Sequence, residues 1–404
     1  MGQTRKKRKP QRWALVAALV LALLIGILLG GHPDWLPSGV RNVFVSQSSK
    51  ERQVQNVLNL VARNYYRPVN TQHLLDNGLE AAISGLDPYS HYFPPALYKS
   101  FEQQTNPQVT GIGVAVNPQP VAGGIEIEEV FQGSPAAKGG LAHGDIIIAV
   151  NGTSLRGKTV GQGSQLIKGH AGTPVVLTIR RGDRTHRTRL VRRTVTVPVA
   201  SSRLIDYRGH RVGYLRFTQF TQGSAGQLRA QVRRMLRDHP AGLILDLRDN
   251  GGGLLAQAVA AASIFIEDGT IVTTRGRNQP THVYLAKGNA IAPRIPMVVL
   301  VDHGTASSAE IVTAALQDRG RAAVVGTHTY GKGVFQEIQP LTGGGALDLT
   351  VGEYFTPDGR NLGGGGARRG AGVTPNVYAA AGTRYPGRAL RVAERVLASK
   401  IGNG

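Results

Sequence analysis

Cysteine is absent from the 404 residues and acidic residues are scarce: 25 Asp plus Glu stand against 47 Lys plus Arg, a formal +22 at neutral pH. Without cysteine there is no disulfide scaffold, no zinc–cysteine site, no iron–sulfur cluster and no thiol nucleophile. No internal repeat occurs, and two familiar serine motifs are missing, because the chain nowhere reads Gly-x-Ser-x-Gly and nowhere Ser-x-x-Lys. The shortage of acids leaves several partners open, since nucleic acid, anionic lipid and acidic polymers all attract a basic surface. Apolar residues make up 41% of the chain, enough for real cores, and glycine, at 53 residues, is about twice as frequent as its usual ~7%. At roughly 100–200 residues per domain the length predicts two or three domains.

Arg5, Lys6, Lys7, Arg8, Lys9 and Arg12 precede an uncharged stretch, 13–31, rich in Leu, Ala, Val and Ile. Its nineteen residues, at ~1.5 Å rise each, span about 28 Å, close to the ~30 Å hydrocarbon core of a bilayer. The pattern predicts a basic cytoplasmic tail over 1–12 and one N-terminal transmembrane helix over 13–31. Basic residues stay on the cytoplasmic side and the next one after the run is Arg41, so the rest of the chain is expected on the extracytoplasmic, periplasmic side of the cytoplasmic membrane. A cleaved signal peptide predicts the same export, although Gly30, Gly31, His32, Pro33 and Asp34 make a poor small-x-small site. Removing the six tail charges leaves +16 (22 less 6) on the exported part, and nucleic acid is not expected as a partner.

Val54, Val57, Leu58 and Val61 follow helical spacing, and Thr71 can cap a second stretch carrying Leu74, Leu75, Leu79 and Ile83. Residues 46–107 therefore read as a small helical region. It is broken by Pro88, Pro94 and Pro95 amid Tyr89, Tyr92, Phe93, Tyr98 and Phe101, a patch that reads as packing against a neighbouring domain. Residues 108–198 read as a β-rich domain, with strands at 112–116, 125–130, 146–150 and 175–180, a helix near 164–168 and a basic strand at 187–197. From 199 to 380 strands (211–217, 242–247, 271–274, 297–302, 322–326) alternate with helices (224–238, 254–265, 306–318), and the glycine clusters at 343–345 and 363–366 read as loops. The apolar runs Leu243-Ile244-Leu245 and Met297-Val298-Val299-Leu300-Val301 predict strands buried on both faces, hence an α/β layered core. Residues 381–404 form a C-terminal helical tail. The fold expected is an α/β and α+β multidomain chain.

Three segments begin at the ends of predicted strands: Leu247-Arg248-Asp249-Asn250-Gly251-Gly252-Gly253, Asp302 to Glu310, and Gly326 to Gln336. Ligands and catalytic groups collect at the carboxyl ends of strands in open α/β sheets, so their convergence is expected. Gly326-Thr327-His328-Thr329-Tyr330-Gly331-Lys332 matches the start of a phosphate-binding loop, but Gly333 stands where Ser or Thr would hold magnesium and a strand, not a helix, follows. Ser307-x-x-Glu310 is a capping-box pattern at a helix start, with Glu310 in a structural role. A triad of Asp302, His303 and Ser307 would need an unusual turn to line up in series.

Gly133-Ser134-Pro135-Ala136-Ala137, Gly140-Leu141, Gly144-Asp145-Ile146-Ile147 and Val150-Asn151-Gly152 resemble the core signature of PDZ domains, and Gly111-Ile112-Gly113-Val114 sits where that family has its carboxylate-binding loop. Successive backbone N–H groups in such a loop can hold a terminal carboxylate while the peptide adds as a strand to the sheet edge. Gly304-Thr305-Ala306-Ser307-Ser308-Ala309-Glu310 and Gly331-Lys332-Gly333-Val334-Phe335-Gln336 together resemble the catalytic signatures of carboxyl-terminal processing proteases, the tail-specific serine proteases. The likeness extends to Leu247 to Gly252, to Tyr354-Phe355-Thr356-Pro357-x-Gly359-Arg360 and to Gly372-Val373-x-Pro375, and covers most of residues 50–380.

The resemblance implies Ser307 as nucleophile, Lys332, twenty-five residues on, as general base, and Gln336 as the residue orienting the lysine. Ser-Ser-Ala-Glu replaces the family's usual Ser-Ala-Ser-Glu, which leaves Ser308 as a rival nucleophile; Asp302-His303 and Asn376 also depart from the common pattern. At a pKa of ~10.4 roughly one lysine in 2,500 is neutral at pH 7, and a drop of ~3 units, about 4 kcal/mol, would bring that to around a third. The helix N-terminus at Ser307 would favour negative charge on the serine oxygen, and the backbone N–H groups of Ser308 and of Gly251 or Gly252 are candidates for an oxyanion hole. The function expected is a membrane-anchored extracytoplasmic serine endopeptidase that trims C-terminal tails of proteins, with no metal and no cofactor. Its partners would be protein or peptide C-termini and the membrane, with an adaptor protein and a homo-oligomer left open. A non-catalytic PDZ scaffold and a binder of acidic cell-envelope polymers are the competing classes.

Overall fold

The computed structural model describes residues 49–105, 108–119, 121–366, 370, 372–380 and 387–402. The basic tail and the apolar run at 13–31 lie outside these residues; among the described residues no helix is long and apolar enough to cross a membrane. The chain divides into two compact units, Met1–Leu79 and Glu80–Gly404. Helix α1 (Ser49–Asn64) carries Val54, Val57, Leu58 and Val61, and α2 (Thr71–Ser84) is capped not by Thr71, as expected, but by Asn70, whose Oδ1 accepts His73 N–H at 3.1 Å; neither helix buries a residue.

Unit 80–404 begins with a short strand, β1 (His91–Phe93), and α3 (Pro95–Thr105). A β-rich module follows. Strands β2 (Gln108–Gly111) and β9 (Arg193–Thr196) pair as a ribbon. Strands β3 (Val114–Val116), β4 (Ile125–Val130), β5 (Ile146–Val150), β7 (Pro174–Arg181) and β8 (Arg184–Val191) form an antiparallel sheet in that order, with β6 (Thr153–Ser154) on β5. Helices α4 (Pro135–Lys138) and α5 (Val160–Ile167) complete it. α5 starts at Thr159, which accepts from Gln162 N while its own N–H donates to Gln162 Oε1, a reciprocal cap. Inside lie Ile125, Ile127, Ile147, Val175, Leu177 and Ile179, the alternate residues of β4, β5 and β7. The basic strand expected at 187–197 is two strands. Arg192 breaks it by turning inward, where its guanidinium donates to the carbonyls of Leu166, Ile167 and Pro174.

The rest is a three-layer α/β core. Its six-stranded sheet runs β10 (Ala200–Tyr207), β11 (His210–Phe217), β12 (Gly242–Asp246), β15 (Met297–Val301), β16 (Ala323–Gly326), β19 (Val377–Tyr378), parallel from β11 onward. Leu243, Leu245 and Val299 face helices α6 (Ser224–Arg237), α7 (Leu255–Ala262) and α8 (Ser308–Asp318). Ile244, Val298 and Leu300 face α9 (Arg388–Ile401) through Ala389, Ala393 and Leu397. Both faces are thus covered, as uninterrupted apolar strands require. A second sheet carries β14 (His282–Leu285), β13 (Thr270–Arg275), β18 (Ala346–Phe355) and β1, with β17 (Val334–Pro340) also on β18. The 343–345 glycines are the turn of the β17–β18 hairpin, with Leu341 N–H on Gly345 O at 2.8 Å.

At the carboxyl end of β12, Asp246 is fully buried. Arg248 donates to it from N (3.0 Å), Nε (2.9 Å) and Nη2, Tyr214 from its hydroxyl, and Arg216 Nη1 lies at 3.1 Å. Burial pushes this carboxyl up, but the hydrogen bonds and charge of Arg248, helped by Tyr214 and Arg216, overcome it and hold the group below the ordinary carboxylate range. A carboxylate so depressed stabilises the fold above its unfolded-state pKa and loses that contribution as pH falls through the folded value. Asp246→Ala is therefore expected to cost about 3–5 kcal/mol at neutral pH, the Arg248 guanidinium being left without its carboxylate partner. Urea unfolding of both proteins from neutral to strongly acidic pH should show the gap closing below the ordinary carboxylate range.

Candidate active site

The three strand-end segments meet through hydrogen bonds to backbone carbonyls. Thr305 Oγ1 donates to Leu247 O (2.8 Å), Ala306 N–H to Asn250 O (2.9 Å), Ser308 Oγ to Gly253 O (2.8 Å) and Tyr330 N–H to Thr305 O (2.9 Å). Asp302 does not serve His303, which is exposed; its Oδ1 accepts the N–H groups of Asp249 and Gly304, each at 2.9 Å, and shapes the turn.

Ser307 sits between that turn and α8 with φ 54° and ψ −119°, a left-handed conformation that a side-chain-bearing residue adopts only under constraint. It is 8% exposed, and the constraint is visible next to it. Gly252, at φ 95°, packs so closely that a Cβ there would lie 2.8 Å from Ser307 Cβ, 2.9 Å from Ser308 N and 2.7 Å from Ala306 O. The Gly252 N–H donates to Asn250 Oδ1 at 2.9 Å, while Asn250 Nδ2 is fixed on Phe217 O. That amide is committed, which leaves Gly251 and Ser308 of the three backbone donors named from the sequence.

Glu310, three residues into α8 and fully buried, connects the serine to the lysine. Its Oε2 accepts Ser307 N–H at 2.8 Å and Lys332 N–H at 2.9 Å; its Oε1 accepts Gly331 N–H at 2.7 Å and the Thr329 hydroxyl. Thr329 Oγ1 in turn accepts Val373 N–H at 2.7 Å, so Gly372-Val373 closes over the same group. Burial raises the Glu310 pKa, and the four donors oppose it. Asn376, a departure from the common pattern, accepts Val324 N–H (2.8 Å) and Gln317 Nε2 (3.1 Å), contacts that any carbonyl-type oxygen could make.

Lys332 is partly buried. Desolvation lowers its pKa from the ordinary lysine value, against the opposing pull of Asp348, Asp87 and Glu310. Gln336 Nε2 donates to Thr350 Oγ1 at 3.0 Å, and Thr350 Oγ1 donates on to Asp87 Oδ1 at 3.1 Å. Sequence reasoning missed Asp87 and Thr350. Asp87-Pro88-x-Ser90 could have been read as an Asx turn, but nothing local ties it to Thr350, more than 260 residues on.

In the β-rich module, Gly111, Ile112, Gly113 and Val114 line one wall of a groove of about 80 Å³ whose other wall is Ser164, Ile167 and Lys168 of α5 and its end. Strand β3 is an edge of its sheet, and Gly113, at φ 79°, could carry no side chain, since a Cβ would lie 2.4 Å from Ser134 Cβ. The predicted carboxylate-loop residues thus lie together, on the module and not at Ser307. Among the described residues no cluster of His, Asp and Glu could hold a metal ion.

Residues 211–379 match Peptidase family S41 and residues 126–181 match the PDZ domain family. A carboxy-terminal-processing protease of Bartonella bacilliformis is 34% identical over 352 residues, 83% of this chain and 78% of that protein. The chloroplastic carboxyl-terminal-processing peptidase 2 of Arabidopsis thaliana is 32% identical over 302 residues, 72% of this chain and 58% of that protein. The solved structure of a photosystem II D1 C-terminal processing protease aligns over 82% of this chain and 93% of its own, at 25% identity and a TM-score of 0.48. The chain belongs to peptidase family S41, the carboxy-terminal-processing serine proteases.

Gly252 offers a direct check of the packing at Ser307. Gly252→Ala is expected to lower peptidase activity by about 100-fold, as loss of transition-state alignment does, with helical and sheet content unchanged. Gly251→Ala, where a Cβ would meet nothing within 4 Å, should keep the wild-type stability. Circular dichroism and hydrolysis rates on the two variants separate the effects, and equal activity in Gly252→Ala would contradict the close packing.

Proposed function

We propose that the protein is an exported, membrane-tethered endopeptidase that trims protein C-termini with Ser307 as nucleophile and Lys332 as general base. The observation that carries this is the shared acceptor: one oxygen of Glu310 takes the backbone N–H of both residues, so one buried group fixes both positions. Ser307 also has the strained backbone expected of a serine pressed out at a strand-to-helix turn, whereas Ser308 spends its hydroxyl on Gly253 O, which favours Ser307 over its neighbour. The +6 tail ahead of the apolar run supports the tether and the exported placement.

In this reading a neutral Lys332 amine takes the Ser307 proton as Oγ attacks the scissile carbonyl. The oxyanion forms beside the N–H groups of Ser308 and Gly251 at the positive end of α8. The lysine ammonium then protonates the departing amine, and water, activated by the regenerated amine, hydrolyses the acyl-enzyme. Gln336, steadied by Thr350, keeps its amide oxygen for the ammonium without adding charge. The PDZ groove takes the free carboxylate of the tail, since the edge of β3 and the Gly111–Gly113 backbone suit an added strand.

Ser307→Ala and Lys332→Ala should each abolish cleavage of a tail-bearing peptide and leave the fold intact; undiminished hydrolysis in either would remove the dyad. Because the base must be neutral, wild-type kcat/KM should rise with pH through a pKa below that of ordinary lysine. A peptide with a free C-terminus should show a lower KM than its C-terminal amide, and equal values would take the groove out of the account.

A further inference from the structure

The aromatic, proline-broken segment after α2 is drawn into the protease core. Asp87 folds it into a tight turn: its Oδ1 accepts the N–H groups of Tyr89 (2.7 Å) and Ser90 (2.9 Å), and its Oδ2 accepts the Ser90 hydroxyl (2.7 Å). Ser90, fully buried, accepts Thr350 N–H at 3.0 Å, and Thr350 is also the residue on which Gln336 rests. Strand β1 then pairs with β18 in the register His91 with Asp348, Tyr92 with Leu347, Phe93 with Ala346. Between the Asp87 turn and this strand, the Tyr89 ring is delivered to the lysine, its centroid 4.8 Å from Lys332 Nζ. The turn therefore braces both Gln336 and the amine from one carboxylate.

We infer that Tyr89, clamped by the Asp87 turn, is a positioning residue that holds the Lys332 amine in the site and shields it from water. The inference rests on Lys332 being the general base. The charged groups acting on that amine are Asp348 on β18, Asp87 in the turn and Glu310 on α8, with His91 acting on Asp348. All three carboxylates favour the ammonium, as does the face of the Tyr89 ring. Only exclusion of water favours the neutral amine, and it outweighs the others here. The ring thus has two opposed effects on the lysine, and its positioning role requires the shielding one to be the larger. Packing alone would ask only for an apolar side chain; the Asp87 turn fixes where the ring stands.

The test measures kcat/KM against pH in the full chain, with a fluorogenic peptide ending in a free carboxylate, for wild type, Tyr89→Ala, Tyr89→Phe and Tyr89→Leu, with Lys332→Ala as control. Tyr89→Ala admits water, so its acidic limb should move up by about one pH unit, a loss of about tenfold at neutral pH that is recovered at alkaline pH. Tyr89→Phe should keep the wild-type limb. Tyr89→Leu keeps water out without the ring face, so its limb should stay or move down, and it remains informative if the alanine variant does not fold. A limb unmoved in Tyr89→Ala, a loss of equal size at every pH, or an upward shift in Tyr89→Leu overturns the inference. An active Lys332→Ala would instead overturn the dyad reading itself.

Discussion

Burying the Glu310 carboxylate away from water would be prohibitive without the four donors around it, and those donors belong to the segments that carry Ser307 and Lys332. The serine arrives from the turn after β15 and the lysine from the corner between β16 and β17, two elements with no local reason to meet. A surface carboxylate in the same place would gain little from them; a buried one must keep every donor or be stranded. The Gly372-Val373 loop, which closes over Thr329, belongs to the same constraint. The Asp87 turn acts in addition on Thr350, Gln336 and Tyr89. The site is thus braced by two carboxylates, neither of which needs to touch a substrate.

Strain is the counterpart of that bracing. Ser307 is held at positive φ, and Asp249, in the facing loop, also has positive φ at 57°. Such conformations persist only where surroundings over-determine them. Here Gly252 fills the space against Ser307, the Ala306 amide is tied to Asn250 O, and the β12 end beneath is fixed by Asp246 with Arg248, Arg216 and Tyr214. The rigid α/β core, covered on both faces, supplies the leverage, and the loops at its carboxyl edge hold the distortion. The PDZ module has its own core and a separate groove.

Much of this was legible in the sequence. Continuous apolar runs such as Leu243-Ile244-Leu245 announced strands covered on both faces, and the strands at 125–130, 146–150 and 175–180 announced a β-rich module. The meeting of 247–253, 302–310 and 326–336 followed from the rule that strand carboxyl ends in a parallel sheet share one edge. What stayed hidden is long-range and polar. Nothing in residues 91–93 says that they pair with 346–348, and no local pattern assigns the Gly252 amide to Asn250, so its place in an oxyanion hole was proposed and its N–H is already engaged. The basic 187–197 stretch hid its break at Arg192 because an inward arginine is recognisable only from the helix-end carbonyls it satisfies. Glu310 could be read as half of a helix cap, but its other half, the amides of Gly331 and Lys332, belongs to tertiary structure.

On the proposed reading, the buried Glu310 carboxylate aligns Ser307 as nucleophile and Lys332 as base. That alignment is tested most directly by the rate at which a fluorophosphonate labels Ser307 in wild type and in Glu310→Gln, measured on protein shown by calorimetry to be folded. The glutamine keeps the size of the side chain but turns an N–H donor toward amides that need an acceptor. The account predicts that labelling falls by about 100-fold or more in the folded variant, the scale on which loss of general-base assistance is felt. Labelling at the wild-type rate would contradict it.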